Sequence, residues 1–339
     1  MTRRKTNLTY QAEQALKEIN YIGESKREKR QSDEHGIHSY KQMKETLSVV
    51  MNFVKWLKTE NVRSIYTLTE REYKRYIQFK QDSGVLNGHL MNIETGLRHL
   101  EKGMGKVSQK LGRKPVKWTP DVRVISFKTR EEPKDRSYTE TEIEAILSQC
   151  SHNVGIGITL SWRLGLRAKE VINMRVEHID FEREELIFTE KTAKGVTKGG
   201  RYRLIPIPSD FVNVLTSIVT NKGIEELVLG LTNESTLRDG LSRACKKAGI
   251  ESRGIHGFRH TYARNRLNDL LNEKGISEVG GKMMKRIFNN IAKGKKADYG
   301  IYTDKDRQIF HQVKQCIDIV HGELGHGKDR WDLAKVYMK

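Results

Sequence analysis

The stretch His256-Gly257-Phe258-Arg259-His260-Thr261-Tyr262-Ala263 places two histidines and an arginine within five positions. If the segment is helical from about Phe258, then Phe258, Tyr262 and Leu267 share a face that predicts contact with a core, and the polar side chains line a surface above it. His256 then lies just before the helix. A helix N-terminus beside an arginine is suited to holding a phosphate. A basic helix with merely solvated charges is the alternative.

The composition indicates the kind of partner. The 339 residues include 62 Lys and Arg against 43 Asp and Glu, which gives a formal net charge of +19. This excess favours a polyanionic partner, because without one it only adds self-repulsion. Aromatic residues make up 7%, which favours phosphate contacts to a duplex over base stacking along a single strand. The length is sufficient for two domains.

Several protein classes are excluded. The 3 cysteines are far apart, so neither a disulfide framework nor a metal-binding spacing is indicated. No apolar run is long enough to span a membrane, and the charged N-terminus has no apolar segment typical of a signal peptide. We therefore expect a cytoplasmic, nucleoid-associated protein with no membrane partner.

The first part of the chain predicts a small DNA-binding unit. Residues 1–30 are polar and basic and are interpreted as an N-terminal arm, or as a first helix, rather than as part of a core. Residues 31–112 carry helical apolar spacing and predict an all-helical bundle with a basic surface, in which Thr69 and Glu72 form a capping box. Residues 113–136 are rich in charges and poor in Leu, Ile and Val, and are interpreted as a linker.

Residues 137–339 predict a second, mainly helical domain. Thr139 caps its first helix, and Gly165 separates one helix from the next, which starts near Arg167. Over residues 185–189 and 202–207 the spacing of apolar residues changes from the helical period of 3.6 to the strand period of 2. This change predicts a β-hairpin with a Gly- and Lys-rich turn. The expected fold is mainly α with a small antiparallel sheet.

Five motifs in order carry a family resemblance. They are GLRAKE at 165–170, KGGRYRLIP at 198–206, HGFRH at 256–260, LGH at 324–326 and Tyr337 close behind. In this order they resemble the tyrosine recombinase (phage integrase) family. The resemblance implies a helical core-binding (SAM-like) domain and a catalytic domain that together form a C-shaped clamp around duplex DNA.

The resemblance implies cleavage and rejoining of DNA without a cofactor or a metal. Tyr337 matches the nucleophile that forms a 3′-phosphotyrosyl bond and releases a 5′-hydroxyl. Arg167 and Arg259 match two arginines whose guanidinium groups neutralise the charge that develops on the phosphate. A tyrosine hydroxyl has a pKa of about 10 and needs a base nearby; His256 matches the position assigned that help.

The remaining assignments come from the same resemblance. His326 matches a second histidine that hydrogen-bonds the phosphate. A hairpin lysine supplies the acid for the leaving 5′-oxygen, which the motif places at Lys198, with Lys194 as the alternative because hairpin loops vary in length. The resemblance also implies supporting roles for Glu170 and His260. If Tyr337 were a loose terminal residue, Tyr299 or Tyr302 would be the alternative nucleophile.

The chain departs from the family pattern in two ways. Arg259 and His326 lie further apart than the family usually places them, so residues about 270–320 are interpreted as an insertion with its own helices. Only Met338 and Lys339 follow Tyr337, whereas many relatives carry a tail that docks on the next subunit. The insertion is therefore expected to replace this tail or to add DNA contacts.

The predicted function is site-specific strand exchange through a Holliday junction, by four identical subunits on two DNA sites. Integration or excision of a mobile element is the favoured role, and accessory DNA-bending proteins are further candidate partners. Resolution of chromosome or plasmid dimers would use the same residues, and a type IB topoisomerase would share the chemistry as a monomer. A DNA-binding regulator without catalysis is the alternative from another class.

Overall fold

The computed structural model describes residues 7–32, 34–126, 134–197, 200–231 and 233–338. The chain divides into two compact units, Met1–Glu132 and Pro133–Lys339. Both units are built mainly of α-helices, and the second contains a small antiparallel sheet, as the sequence predicts. Within the described ranges, no helix has the length and apolar character needed to cross a membrane.

The N-terminal unit contains five α-helices in its described part. They are α1 (Leu8–Lys17), α2 (Lys26–Gln31), α3 (Tyr40–Thr59), α4 (Glu70–Asp82) and α5 (Asn87–Lys110). The predicted capping box is present, because Thr69 and Glu72 each bond the other's backbone at the start of α4. The stacked rings of Phe53 and Trp118 lie in the core of this unit.

Residues 1–30 are predicted to be an arm or a first helix outside the core, and the structure contradicts this for α1, which is part of the core. This helix buries Leu8, Ala12, Ala15 and Leu16 in the core of the N-terminal unit. It lies so close to α5 that a side chain at Gly103 would overlap the carbonyl of Ala15. The buried positions follow helical spacing, i, i+4, i+7 and i+8, which the polar composition of the segment concealed. Residues 1–6 lie outside the described part.

The predicted linker at 113–136 is also partly structural. Trp118 and Ile125 are buried in the N-terminal core. The backbone N–H of Trp118 donates to the Glu101 carboxylate at 2.6 Å, and the Thr119 hydroxyl donates to the same group at 2.8 Å. This segment therefore packs against its own unit, because a few aromatic and aliphatic residues and one buried carboxylate hold an otherwise charged stretch. Residues 127–133 are not described.

The C-terminal unit begins with helices that position the site. The described α-helices and strands are α6 (Glu140–Leu147), α7 (His152–Leu164), α8 (Ala168–Asn173), β1 (Ile179–Asp180), β2 (Glu185–Phe188), β3 (Arg203–Pro206), α9 (Ser209–Val219), α10 (Glu234–Ala248), α11 (Ile255–Glu273), α12 (Ser277–Ala292), α13 (Asp304–Glu323) and α14 (Trp331–Tyr337). Gly165 ends α7 with φ of 59°, as predicted, and Arg167 caps α8. A Cβ at Gly165 would lie 2.5 Å from the ring of Tyr262. Only glycine satisfies both constraints at this break.

The predicted hairpin is present as β2 and β3, which pair antiparallel with Leu186 opposite Ile205 and Phe188 opposite Arg203. A third, two-residue strand that the sequence did not indicate, β1, pairs with the other edge of β2. Because side chains alternate along a strand, Arg203 and Ile205 share the buried face of β3.

Helix α11 differs from its prediction in two respects. It begins at Ile255, so His256 lies in its first turn rather than before it. Phe258, Tyr262 and Leu267 are buried as expected, but Arg259 and His260 are buried as well. The helix therefore lies inside the unit and not along its surface.

The region interpreted as an insertion is helical, as predicted, and contributes to the core. Met283, Ile287 and Phe288 of α12 and Cys316 and Ile317 of α13 are buried in the hydrophobic cluster of the C-terminal unit. These helices are consequently integral to the packing of this unit.

Candidate active site

Tyr337 lies within a group of histidines. At the end of α14 its side chain is 6% exposed, and its Oη lies 2.6 Å from His256 Nε2 in the first turn of α11. The ring stacks on His260 with 4.4 Å between ring centroids, and the His326 ring lies 5.2 Å away. Helices α11 and α14 thus hold the hydroxyl directly against an imidazole nitrogen.

Two arginines converge on the turn that precedes His326. Arg259 is fully buried and donates through Nη1 to the carbonyl of Gly165 and through Nη2 to the carbonyl of Leu324. Arg167 Nη2 donates to the same Leu324 carbonyl at 3.3 Å. Arg259 Nη2 also lies 3.5 Å from His326 Nε2. The α7–α8 break and this turn therefore bring both guanidinium groups beside the second histidine.

Glu170 connects the charges below the site. This carboxylate is 1% exposed and accepts from Arg167 Nη1 at 2.8 Å and from Arg203 Nη1 at 3.0 Å. Arg259 Nη1 lies 4.0 Å from it. Burial alone would raise the pKa of Glu170, but the guanidinium groups of Arg203, Arg259 and Arg167 hold it below the ordinary value. One carboxylate therefore neutralises part of a cluster of three cations.

The net charge of this cluster is positive and its histidines are neutral. Burial lowers the pKa of His256 to about 4, and the nearby Arg259 adds to the effect. Burial likewise lowers the pKa of His260 to about 4 and, together with Arg259, that of His326 to about 2. Burial also lowers the pKa of Arg259 to about 9, which leaves this group protonated near neutral pH. Near pH 7 the site combines fixed guanidinium charges with uncharged imidazoles.

The structure separates the predicted site residues into two groups. Arg167, His256, Arg259, His326 and Tyr337 lie together. Lys198 lies outside the described residues, so the distance from this lysine to the other site residues is not defined. The alternative, Lys194, is exposed on the β2–β3 connection.

The two alternative tyrosines occupy a different setting from that of Tyr337. Tyr299 and Tyr302 lie between α12 and α13, with exposed fractions of 51% and 73%. The Tyr299 ring is covered by the ammonium group of Lys295 at 3.8 Å. The buried hydroxyl that contacts a histidine belongs to Tyr337.

Sequence reasoning missed three parts of this site. Arg203 was not singled out, although its alternation with Ile205 along a strand placed it on the buried face. The carbonyl of Leu324, which receives both arginines, leaves no signal in the side-chain sequence. A buried contact from the Tyr262 hydroxyl to Glu323 at 2.8 Å, which anchors the end of α13 to α11, was also missed.

The arrangement is suited to a tetrahedral anion. Arg259 Nε is buried and has no hydrogen-bond partner within the described ranges. Guanidinium groups bind phosphate oxygens through several N–H donors and keep their protons. A hydroxyl in contact with an uncharged imidazole can lose its proton to that base. The site therefore offers a nucleophile, a base and anion-binding donors in one place.

Comparison with known proteins agrees with this chemistry. Residues 136–290 match the phage integrase family. A tyrosine recombinase XerC-like protein of Caldanaerobacter subterraneus subsp. tengcongensis is 26% identical over 198 residues, which cover 47% of this chain and 50% of the relative. The chain thus spans about half the length of the curated relative it matches. The matched part of the chain is therefore similar to the phage integrase family.

Solved structures share the fold at low sequence identity. XerH site-specific recombinase, bound to its difH substrate in a pre-cleavage complex, is 12% identical with a TM-score of 0.57, over 99% of this chain and 92% of that chain. The Tn1549 transposon integrase in complex with a circular intermediate DNA is 13% identical with a TM-score of 0.52, over 97% of this chain and 94% of that chain. These similarities concern the fold alone.

Proposed function

We propose that this chain is a site-specific tyrosine recombinase that cleaves and rejoins duplex DNA through a phosphotyrosyl bond at Tyr337. The observation that carries the proposal is the 2.6 Å contact between Tyr337 Oη and His256 Nε2 beside two guanidinium groups. The match of residues 136–290 to the phage integrase family and the excess of basic residues support the same function. A DNA-binding regulator needs none of these contacts.

The cleavage step follows from the placement of each group. Tyr337 Oη attacks the scissile phosphorus while its proton passes to the uncharged Nε2 of His256. A bond forms between Oη and phosphorus, and the bond from phosphorus to the 5′-oxygen breaks. Arg167 and Arg259 bind the non-bridging oxygens, on which negative charge grows during the reaction.

The leaving 5′-oxygen needs a proton. By resemblance we assign the donation of this proton to Lys198, between β2 and β3 in the sequence, with Lys194 as the alternative donor. His326 donates a hydrogen bond to the phosphate. Rejoining is the reverse reaction, in which a 5′-hydroxyl attacks the phosphotyrosine, so the bond energy is conserved and no nucleotide cofactor is consumed.

The biological role belongs to the same proposal. Strand exchange between two sites by four subunits, through a Holliday junction, would integrate or excise a mobile element, with accessory DNA-bending proteins as further partners. Resolution of chromosome or plasmid dimers is the second role that this chemistry serves. Because the net charge is +19, we expect duplex binding to weaken steeply as salt rises.

A covalent capture experiment tests the reaction without knowledge of the target site. The full chain is mixed with a library of nicked duplexes of randomised sequence, so that cleavage near the nick releases a short strand and traps the complex. Denaturing purification and sequencing of the captured DNA would then report the preferred site. Tyr337→Phe is the test variant and Tyr302→Phe, at an exposed tyrosine, is its matched control.

We expect covalent DNA from the wild type and from Tyr302→Phe, and none from Tyr337→Phe. Covalent DNA from all three proteins would remove Tyr337 as the nucleophile. If no protein captures DNA although all of them retain duplexes on a native gel, the proposal of a recombinase is refuted in favour of a DNA-binding protein without this chemistry.

A further inference from the structure

The first residues of the C-terminal unit are fastened to their surroundings on both sides of Arg136. The Asp135 carboxylate accepts from Arg264 Nη1 at 2.6 Å and from the backbone N–H of Ser137 at 2.8 Å. The carbonyl of Ser137 accepts from Arg253 Nη1 at 2.6 Å. The backbone at Arg136 is therefore held in place by the residues that precede and follow it.

The next residue attaches this segment directly to α11. The backbone N–H of Tyr138 donates to Thr261 Oγ1 at 2.9 Å, and the Thr261 hydroxyl donates to the carbonyl of Tyr138 at 2.8 Å. A Cβ at Gly257 would lie 2.5 Å from the carbonyl oxygen of Arg136 and 2.5 Å from the Tyr138 ring. Because Gly257 has no side chain, the chain passes at Arg136 directly over the first turn of α11.

This crossing point adjoins the histidines of the active site. His256 precedes Gly257, and His260 lies three residues after Gly257, on the same face of the helix. The His260 ring stacks on Tyr337. Burial lowers the pKa of His260 to about 4, and among the surrounding charges Arg136 adds most to this effect. The positive charge of Arg136 thus acts on the ring that supports the nucleophile.

Arg136 differs from the neighbouring arginines in having no protein partner. Arg253 pairs with Glu142 at 2.5 Å, and Arg264 pairs with Asp135 at 2.6 Å. The side chain of Arg136 is exposed and makes no hydrogen bond or ion pair within the described ranges. A guanidinium group keeps its proton and offers several N–H donors to the oxygens of a phosphate. An unpaired arginine on a fixed backbone is therefore suited to binding an anion beside the active site.

We propose that Arg136 binds a phosphate of the DNA backbone adjacent to the scissile phosphate. This role rests on the proposed recombinase function, which places the scissile phosphate at Tyr337 between Arg167 and Arg259. Arg136 acts on the same His260 ring on which Tyr337 stacks, so the strand that reaches Tyr337 also passes Arg136. The contact carries no sequence information, but it fixes the register of the strand at the nucleophile.

Removal of this charge has a measurable signature. We expect Arg136→Gln to weaken duplex binding by roughly 10-fold, as for the loss of one hydrogen-bonded charge. The slope of log affinity against log salt concentration should fall by about 1, because one phosphate contact is lost. Arg136→Lys keeps the charge and should keep the slope, although the ammonium group lacks the guanidinium fork. Because the side chain has no partner in the described part of the chain, both variants should retain the melting temperature of the wild type.

The experiment measures binding of the full chain to a duplex that is selected from a randomised library by retention on a native gel. Fluorescence anisotropy over a salt series at pH 7 compares the wild type with Arg136→Gln and Arg136→Lys. The matched control is Arg183→Gln, which removes an arginine with a 73% exposed side chain between β1 and β2. The same duplex is then prepared with one phosphate at a time replaced by an uncharged methylphosphonate.

We expect a lower affinity and a smaller salt slope in Arg136→Gln but not in Arg183→Gln. One methylphosphonate, next to the phosphate that covalent capture reports as cleaved, should weaken binding of the wild type and leave Arg136→Gln unaffected. Equal affinity and slope in the wild type and Arg136→Gln would overturn the proposal, and so would identical methylphosphonate profiles of these two proteins.

The binding measurements need no cleavage, so the two proposals fail separately. A wild type that binds through Arg136 but forms no covalent complex would refute the recombinase and confirm the phosphate contact itself. A wild type that forms the covalent complex, with Arg136→Gln binding equally well, would refute only the contact. If no protein retains a duplex, both proposals are overturned.

Discussion

Neutralising Glu170 is expected to destabilise the C-terminal unit strongly. In Glu170→Gln the shape is kept, but Arg203 and Arg259, which are 2% and 0% exposed, lose their shared counter-charge. Removing one partner of a buried ion pair costs about 3–5 kcal/mol. Against a domain stability of roughly 5–15 kcal/mol, the variant still folds. At about 2–4 °C per kcal/mol for a domain of this size, the melting temperature falls by roughly 6–20 °C.

The loss of stability in Glu170→Gln is measured in the C-terminal unit itself. Urea unfolding monitored by hydrogen exchange of peptides from α8 and α11 gives the free energy of unfolding of the C-terminal unit alone. The matched control is Glu142→Gln, whose carboxylate bonds Arg253 at 2.5 Å but is 23% exposed. More exposed pairs contribute about 1 kcal/mol or less. A loss below about 1 kcal/mol in Glu170→Gln, or equal losses in both variants, would refute a central role for this carboxylate.

The difference in unfolding free energy between wild type and Glu170→Gln should depend on pH in one direction only. The pKa of Glu170 in the folded protein lies below its ordinary value of 4.5. Its stabilisation is therefore complete above about pH 4.5 and is lost only as the pH falls through the lower folded pKa. The gap in unfolding free energy between wild type and Glu170→Gln should be constant from pH 7 to about 5 and shrink in stronger acid. A gap that closes above pH 5 would contradict this assignment.

Three further predictions test separate parts of the structure. Gly103→Ala should destabilise the N-terminal unit by more than about 2 kcal/mol, because the new methyl group would overlap α1. Gly105→Ala, in open space on the same helix, should stabilise this unit by about 0.5–1 kcal/mol. Urea unfolding of both variants measures the two changes. Gly165→Ala combines a left-handed backbone with an overlap on the Tyr262 ring and should lower the melting temperature of the C-terminal unit by several degrees, as calorimetry would show. The His256 ring, with a pKa of about 4, should keep its NMR shifts from pH 8 to about 5.5, and a titration near pH 6.5 would contradict its burial.

The elements that the sequence predicts well are those determined by neighbouring residues. Capping boxes at Thr69 and Thr139 and the glycine at 165 act within one helical turn, so their partners are visible in the linear sequence. The hairpin was likewise indicated by its alternation and by its Gly-rich turn. The proximity of Tyr337 and His256 is of another kind, because it depends on how α14 packs on α11, and no local pattern encodes it.

The features that were missed depend on tertiary packing. The buried residues of α1 follow helical spacing over only a short, otherwise polar segment. The polar composition of this segment therefore concealed the periodicity of its apolar residues. Arg203 was hidden because a charged residue in a strand is ordinarily placed towards solvent, and its partner Glu170 lies on a separate element. His321 precedes a recognisable motif, but its contact with His326 exists only because the turn at Gly325 reverses the chain.

The most direct test of the account is to locate the covalent bond. The trapped wild-type complex is digested with nuclease and protease, and the peptide that retains a nucleotide is sequenced by mass spectrometry. The account predicts that the nucleotide is attached to Tyr337, with its phosphate bonded to the tyrosine oxygen. A nucleotide on Tyr299 or Tyr302 would contradict the proposed site, because those side chains lie on the exposed connection between α12 and α13 and not beside His256.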